Sequence, residues 1–284
     1  MNSGSLLLIL AIICSASLTI ALKIFRSEEG NRFAILIGNY ISCIIIGFSM
    51  LTDPTSVFRI LPSTFLCGTI AGFLFVAGLV LMQESIEING ASLTSAFSRL
   101  GLIVPLIISM LFFGERPSWT QLVGLLVALF AMWILKGSDN TNNHATTGLL
   151  LLVLLAGGFA DGMAKIFEQV GSRSQDDLYI LLVFVVAGLL TSLLLLKEYR
   201  RSGKIGRPKD FFAGFLVGVP NYFSSSLLLK TLVYIPAFIA YTVFATGTIL
   251  TVTFISVFLL KEKLGRPQII GLFMITAALI LLNI

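Results

Sequence analysis

The chain has 284 residues, 57% of them hydrophobic and only 12% charged, with a mean hydropathy of +0.99. Soluble domains carry about 25% charged residues, so a self-contained water-soluble fold is excluded and most of the surface needs lipid. A net charge of +5 and a pI of about 9.2 do not point to nucleic acid, because the cations sit in short gaps between apolar tracts and not on one face of a folded domain.

An apolar run of about 20 residues spans a bilayer as a helix. Ten such tracts follow one another: 5–25, 33–51, 61–82, 90–113, 119–136, 147–169, 177–196, 210–231, 236–260 and 266–283. Helix is required because lipid offers backbone groups no partners, and the long unbroken runs lack the alternation of a β-barrel. The stretch before tract 1, Met1 to Ser5, has no Lys or Arg, so tract 1 reads as a retained span and not a cleaved signal. Turn residues fill the gaps, as in Asp53-Pro54, Asn89-Gly90 and Gly265-Arg266-Pro267. Cys14, Cys43 and Cys67 lie inside apolar tracts with no CxxC pair, so no disulfide framework, metal site or cofactor is expected.

Ionisable and amide residues inside these tracts are the candidates for function. Lys23 ends tract 1; it either snorkels to the headgroups or holds an anion. Asn39-Tyr40 in tract 2 offers an amide and a phenol, for interhelical bonding or for a cavity wall. Arg99 falls nine residues into tract 4, roughly 13 Å along a helix axis, near mid-membrane, where its fork suits a carboxylate or phosphate. Pro105 follows and is expected to bend that tract. In tract 6, Asp161 precedes Lys165 by four residues, on one helix face. Asp161 is the candidate for proton or cation coupling, with a charge-neutralising ion pair as the alternative, and Lys165 is a second anion-holding candidate. Tract 8 carries Pro220-Asn221-Tyr222, then Ser224 to Ser226; Asn221 and Tyr222 repeat the choice posed by Asn39 and Tyr40.

Two landmarks recur. Lys23-Ile24-Phe25 returns as Lys165-Ile166-Phe167, an offset of 165 − 23 = 142, and Glu115-x5-Gln121-x2-Gly124 returns as Glu262-x5-Gln268-x2-Gly271, an offset of 262 − 115 = 147. A unit copied once explains both. The tracts group five plus five, as residues 1–137 and 138–284, about the polar stretch 137–147. An odd number of crossings per copy inverts the second relative to the first. The expected fold is therefore an all-α integral membrane protein with ten transmembrane helices in two inverted five-helix repeats, forming one transport domain. Glu115 and Glu262 are expected to steady the turns into tracts 5 and 10 by favouring the following helix N-terminus, with Gly124 and Gly271 allowing close packing.

Loop cations set orientation. Arg26 and Arg32 after tract 1, six cations between Lys197 and Lys209, and Lys261, Lys263 and Arg266 all fall on one side, against Arg59, Arg116 and Arg173 on the other. This puts the odd-numbered loops in the cytoplasm and both termini outside, in the inner or plasma membrane.

Ten helices in two copies, each with a Glu-turn-Gln-x-x-Gly join between its fourth and fifth helices, resemble the drug/metabolite transporter superfamily and its EamA-type branch. The resemblance spans nearly the whole chain. It implies an exporter or exchanger of small metabolites, amino acids, nucleotide sugars or drugs. It also implies a central cavity lined by helices 1–4 and 6–9, with helices 5 and 10 peripheral. One departure stands out: related four-helix exporters place a Glu in helix 1, and tract 1 here has no acid, which argues against their drug/proton antiport.

The expected function is secondary active transport, by alternating access, of a small organic solute bearing a carboxylate or phosphate, such as an amino acid. Lys23, Arg99 and Lys165 outnumber Asp161, so a cavity they line favours an anion. The partners are that solute and the bilayer. No catalytic residue is expected: His144 is the one histidine and lies in the polar hinge, and neither H-E-x-x-H nor a Walker-A loop occurs. An intramembrane enzyme or a non-transporting scaffold is the alternative.

Overall fold

A computed structural model describes residues 3–25, 31–51, 53–101, 103–112, 118–137, 144–203, 205–231, 234–235 and 237–282. The described helices are α1 (Ser3–Ile24), α2 (Arg32–Met50), α3 (Pro62–Leu100), α4 (Ile103–Phe112), α5 (Trp119–Gly137), α6 (His144–Val170), α7 (Asp176–Ser202), α8 (Pro208–Thr231), α9 (Ala237–Phe258) and α10 (Arg266–Leu282), with short 3₁₀ turns at Pro54–Phe58 and Arg173–Gln175. Among the described residues six spans are long and apolar enough to cross a membrane: Gly4–Ile24, Arg32–Met50, Pro62–Pro105, Thr147–Phe167, Asp176–Ser202 and Pro208–Leu228. Val243–Phe258 and Ile269–Leu281 are shorter apolar helices.

The third and fourth tracts differ from expectation. No loop separates them. The helix continues through the polar run after Met82, and the break is one residue, Gly90, at φ 80° and ψ 164°. A helix leaving the bilayer stays hydrogen-bonded within itself, so loss of hydropathy alone does not end it. A second interruption falls at Gly101, four residues before Pro105. Proline has no N–H for the carbonyl four residues back, and the Gly101 carbonyl instead accepts from the Val104 N–H at 2.9 Å.

The helices pack in a reciprocal pattern. α1 lies against α8 and α9, while α6 lies against α3 and α4. α2 packs on α8, α7 packs on α3, α2 and α7 meet each other, and α5 pairs with α10. The α2–α8 seam is held close by missing side chains: a Cβ on Gly214 or Gly218 would overlap the carbonyl oxygens of Ile35 and Asn39. Beside it an aromatic row runs inward, with Phe75 edge-on to Phe184 at 5.5 Å and Tyr222 at 6.1 Å from Phe184. A second apolar core gathers α3 beyond Gly90, α4, α5, α6, α9 and α10. Large side chains such as Ile13, Phe73, Leu126, Leu193, Phe254 and Phe273 point outward, as a lipid-facing surface requires.

The connecting segments are tied down by polar caps. Asn31 accepts from the Phe33 N–H at 2.9 Å and starts α2. Asp53 accepts from the N–H and hydroxyl of Thr55 at 2.9 and 2.7 Å; these bonds hold its carboxyl below the usual carboxylate range. Gln175, ahead of α7, accepts from the Thr64 hydroxyl at 2.6 Å and the Leu61 N–H at 3.1 Å, and donates to the Arg59 carbonyl at 2.8 Å. It staples the entry of α7 to the entry of α3.

Candidate functional site

The site begins on one face of α1. Ser15, Thr19 and Lys23 recur every four residues, so their side chains share a stripe. The Arg99 guanidinium, near the end of α3, donates to the Ser15 hydroxyl. It also lies over the Phe244 ring of α9 at 4.6 Å from the centroid, a cation–π contact. α6 reaches the same region because Gly158 seats its backbone on the Gly101 carbonyl and Val104. That contact brings Asp161, one turn on, within electrostatic reach of Arg99.

The Asp161 side chain is exposed on α6 and interacts electrostatically with Arg99. Arg99 is half-buried. The arrangement joins a forked cation and a serine hydroxyl from the first half of the chain to a carboxylate and an aromatic face from the second. Such a set can hold a small solute carrying an anionic group, with a carboxylate at hand for an amine or a proton.

The other sequence candidates go elsewhere. Asn221 donates to the Asn39 side-chain carbonyl at 3.1 Å, and both residues are buried in the α2–α8 seam. Cys43, on the same seam, donates to the Gly218 carbonyl at 3.3 Å. Tyr40 and Tyr222 are buried in the aromatic row. No described contact joins Asn39, Tyr40, Asn221 or Tyr222 to Arg99 or Asp161. Lys23 is ion-paired with Glu262 at 3.1 Å. Lys165 is half-buried one turn beyond Asp161. The carboxylate of Glu262 accepts from the Ser92 hydroxyl at 3.4 Å as well as pairing with Lys23, so it reaches across to the first half as it enters α10. Gly124 and Gly271 are buried in α5 and α10, which pack together. Glu115 lies outside the described residues, as do the side chains of Gln121 and Gln268.

Two members of the site, Ser15 and Phe244, were not singled out from sequence. Ser15 had a signal in its four-residue spacing from Thr19 and Lys23. Phe244 is one of 23 phenylalanines and had none.

The family profile of EamA-like transporters matches this chain twice, over residues 2–136 and 147–284. The chain belongs to the EamA-like transporter family. This family lies within the drug/metabolite transporter superfamily, and its members are typically transporters and not enzymes. The chain is therefore a multi-pass membrane protein of a transporter family. It is 24% identical over 237 residues to a Haemophilus influenzae protein described as uncharacterized, covering 78% of each. A crystal structure that aligns over 98% of this chain and 97% of its own, at 14% identity and a TM-score of 0.64, shares the fold.

Proposed function

We propose that this EamA-family protein is a secondary active transporter of a small organic solute bearing a carboxylate or phosphate, with an amino acid as the leading class. The observation that carries this reading is Arg99. It spans the two halves, touching Ser15 of the first and Phe244 of the second, within electrostatic reach of Asp161. A charged pair at depth in a membrane protein is costly and marks a solute or ion path by default. Arg99 holds the anion, Phe244 orients the guanidinium, and Asp161 binds the amine or the coupling proton. Lys165 adds positive charge next to Asp161, and Asn39, Tyr40, Asn221 and Tyr222 form the seam that fixes the wall.

The same reading takes the chain as ten crossings in two inverted halves, 1–137 and 138–284, rocking about a central site. Reciprocal packing supports it. Exchanging each helix for its repeat partner turns α1 on α8 into α6 on α3, and α2 on α8 into α7 on α3, while α2–α7 and α5–α10 map onto themselves. Loop cations place the odd-numbered loops in the cytoplasm and both termini outside; accessibility of a terminal tag in intact cells checks this.

The function is tested in proteoliposomes by uptake and counterflow across a panel of amino acids, organic acids and phosphorylated metabolites. Saturable counterflow of one anionic class is expected. Absence of flux for every anion, with flux of a neutral or cationic solute, refutes the assignment.

A further inference from the structure

The Lys23–Glu262 pair lies two helical turns from Ser15 on the same face of α1, about 12 Å along the axis. It joins the first half to the second. Three further features converge on the Glu262 carboxylate. Ser92 donates to it at 3.4 Å. Gly90, at φ 80°, sits directly beneath it, and a Cβ there would overlap Glu262 Oε1. The Glu262 N–H donates to the Ser256 carbonyl at 2.9 Å, which folds the end of α9 back so that the side chain points inward. The residue before it, Lys261, is held at φ 53°, a left-handed conformation that a non-glycine residue adopts at a cost. Glu262 is only 12% exposed and Lys23 25%, so the pair is packed in and not loose at the surface. Leu22, Ile86, Ala91 and Val252 are buried in one apolar cluster, and Thr19, between Lys23 and Ser15 along α1, is buried.

We infer that Glu262 is a latch that closes one end of the solute path by seating its carboxylate in the notch at Gly90 and on Lys23. The break in α3 has a use in this light. A helix running on past residue 89 with an ordinary side chain at residue 90 would fill the space the carboxylate occupies. The latch ties α9 and the turn into α10 to α1 and α3, which are elements of opposite halves. Rocking of the halves must break it, and remaking it reseals this end. By the repeat the twins of Lys23 and Glu262 are Lys165 and Glu115; Glu115 lies outside the described residues, and the inference concerns the Lys23–Glu262 pair alone. It rests on the central path proposed above, but its test does not depend on knowing the solute.

The test reads accessibility. Thr19→Cys is placed in protein whose Cys14, Cys43 and Cys67 are replaced by Ala, and a membrane-impermeant maleimide is added to vesicles from the latch side and from the other side. With the latch intact, labelling from the latch side is slow. In Glu262→Gln it rises about tenfold, the equivalent of 1.4 kcal/mol on the closed state, and Lys23→Met and Gly90→Ala do the same. The exchanged double variant Lys23→Glu/Glu262→Lys restores slow labelling. Thermal unfolding of each variant identifies any that misfold, and the three independent single variants keep the test decisive. Unchanged latch-side labelling in the folded single variants overturns the inference. So does fast labelling that the charge exchange fails to slow, since the ion pair would then not be what holds the end shut. Loss of the transport reading shows separately, as absent flux with the labelling pattern intact.

Discussion

Replacing Arg99 by methionine keeps most of its volume and removes the fork and the charge. An anion held by this guanidinium makes a charge-assisted hydrogen bond, worth about 1.5–3 kcal/mol. The neighbourhood sharpens that figure. Arg99 is half-buried and stacks on Phe244 at 4.6 Å, so it is pre-aimed and loses little freedom when it binds. A loss of about 2–3 kcal/mol corresponds to roughly a 30- to 150-fold rise in KM for the anionic solute. Folding is read separately: removing one partner of a buried ion pair costs about 3–5 kcal/mol, and a lower unfolding temperature reports any such loss. Arg99→Lys keeps the charge but not the fork or the stacking, and is expected to fall between the two. The assay is initial-rate counterflow in proteoliposomes, with gel filtration and thermal unfolding as fold controls. A KM for Arg99→Met within twofold of the parent, for every transported anion, refutes the role assigned to Arg99 even if transport itself is real.

Asp161→Asn separates coupling from binding. If Asp161 carries the proton, uptake driven by a pH gradient is lost in the variant while solute counterflow at fixed pH persists. Equal loss of both assigns Asp161 to the solute, and no loss of either removes it from the site. In the seam, Asn221→Leu leaves the Asn39 carbonyl unpaired. An interhelical bond in a membrane protein is worth about 0.6 kcal/mol on average and up to about 1.7, so thermal unfolding in detergent drops by a few degrees and the solute KM stays the same. Gly214→Ala forces α2 and α8 apart at the Ile35 carbonyl. Overpacking of this kind costs about 1–3 kcal/mol, read as a lower unfolding temperature.

The long apolar helices were legible because hydropathy and length are properties of the local chain. Tract 2 at 33–51 and α2 at Arg32–Met50 differ by one residue at each end. What the tracts lacked was any sign of how they end once outside the bilayer, so the loop expected between 82 and 90 proved to be helix with a single break. Arg99 and Asp161 stood out by depth alone, since ionised groups in mid-membrane have few tolerable environments. The amides and phenols were harder. Asn39 in a cavity wall and Asn39 in a helix seam look identical in sequence, and the choice rests on the glycines of the opposite helix. Gly214 and Gly218 let α8 approach until Asn221 meets Asn39, a meeting set by two faces about 180 residues apart.

Glu262 shows the same limit most sharply. As a loop acid just ahead of a helix it had a sufficient local explanation in the helix N-terminus. Nothing in its neighbours names Lys23, 262 − 23 = 239 residues earlier, or the notch at Gly90. Yet both partners carried signals of their own: a lysine repeated in the second copy, and an Asn-Gly step in the gap between two apolar tracts. Each is cheap to explain alone, as a snorkelling cation and as a turn. Their convergence on one carboxylate is what local explanations do not cover. In a duplicated membrane protein, landmarks shared by the two copies are therefore better read as contacts between copies than as features of each copy by itself. Lys23 opens one repeated landmark in the first copy and Glu262 opens the other in the second, and the structure sets them 3.1 Å apart.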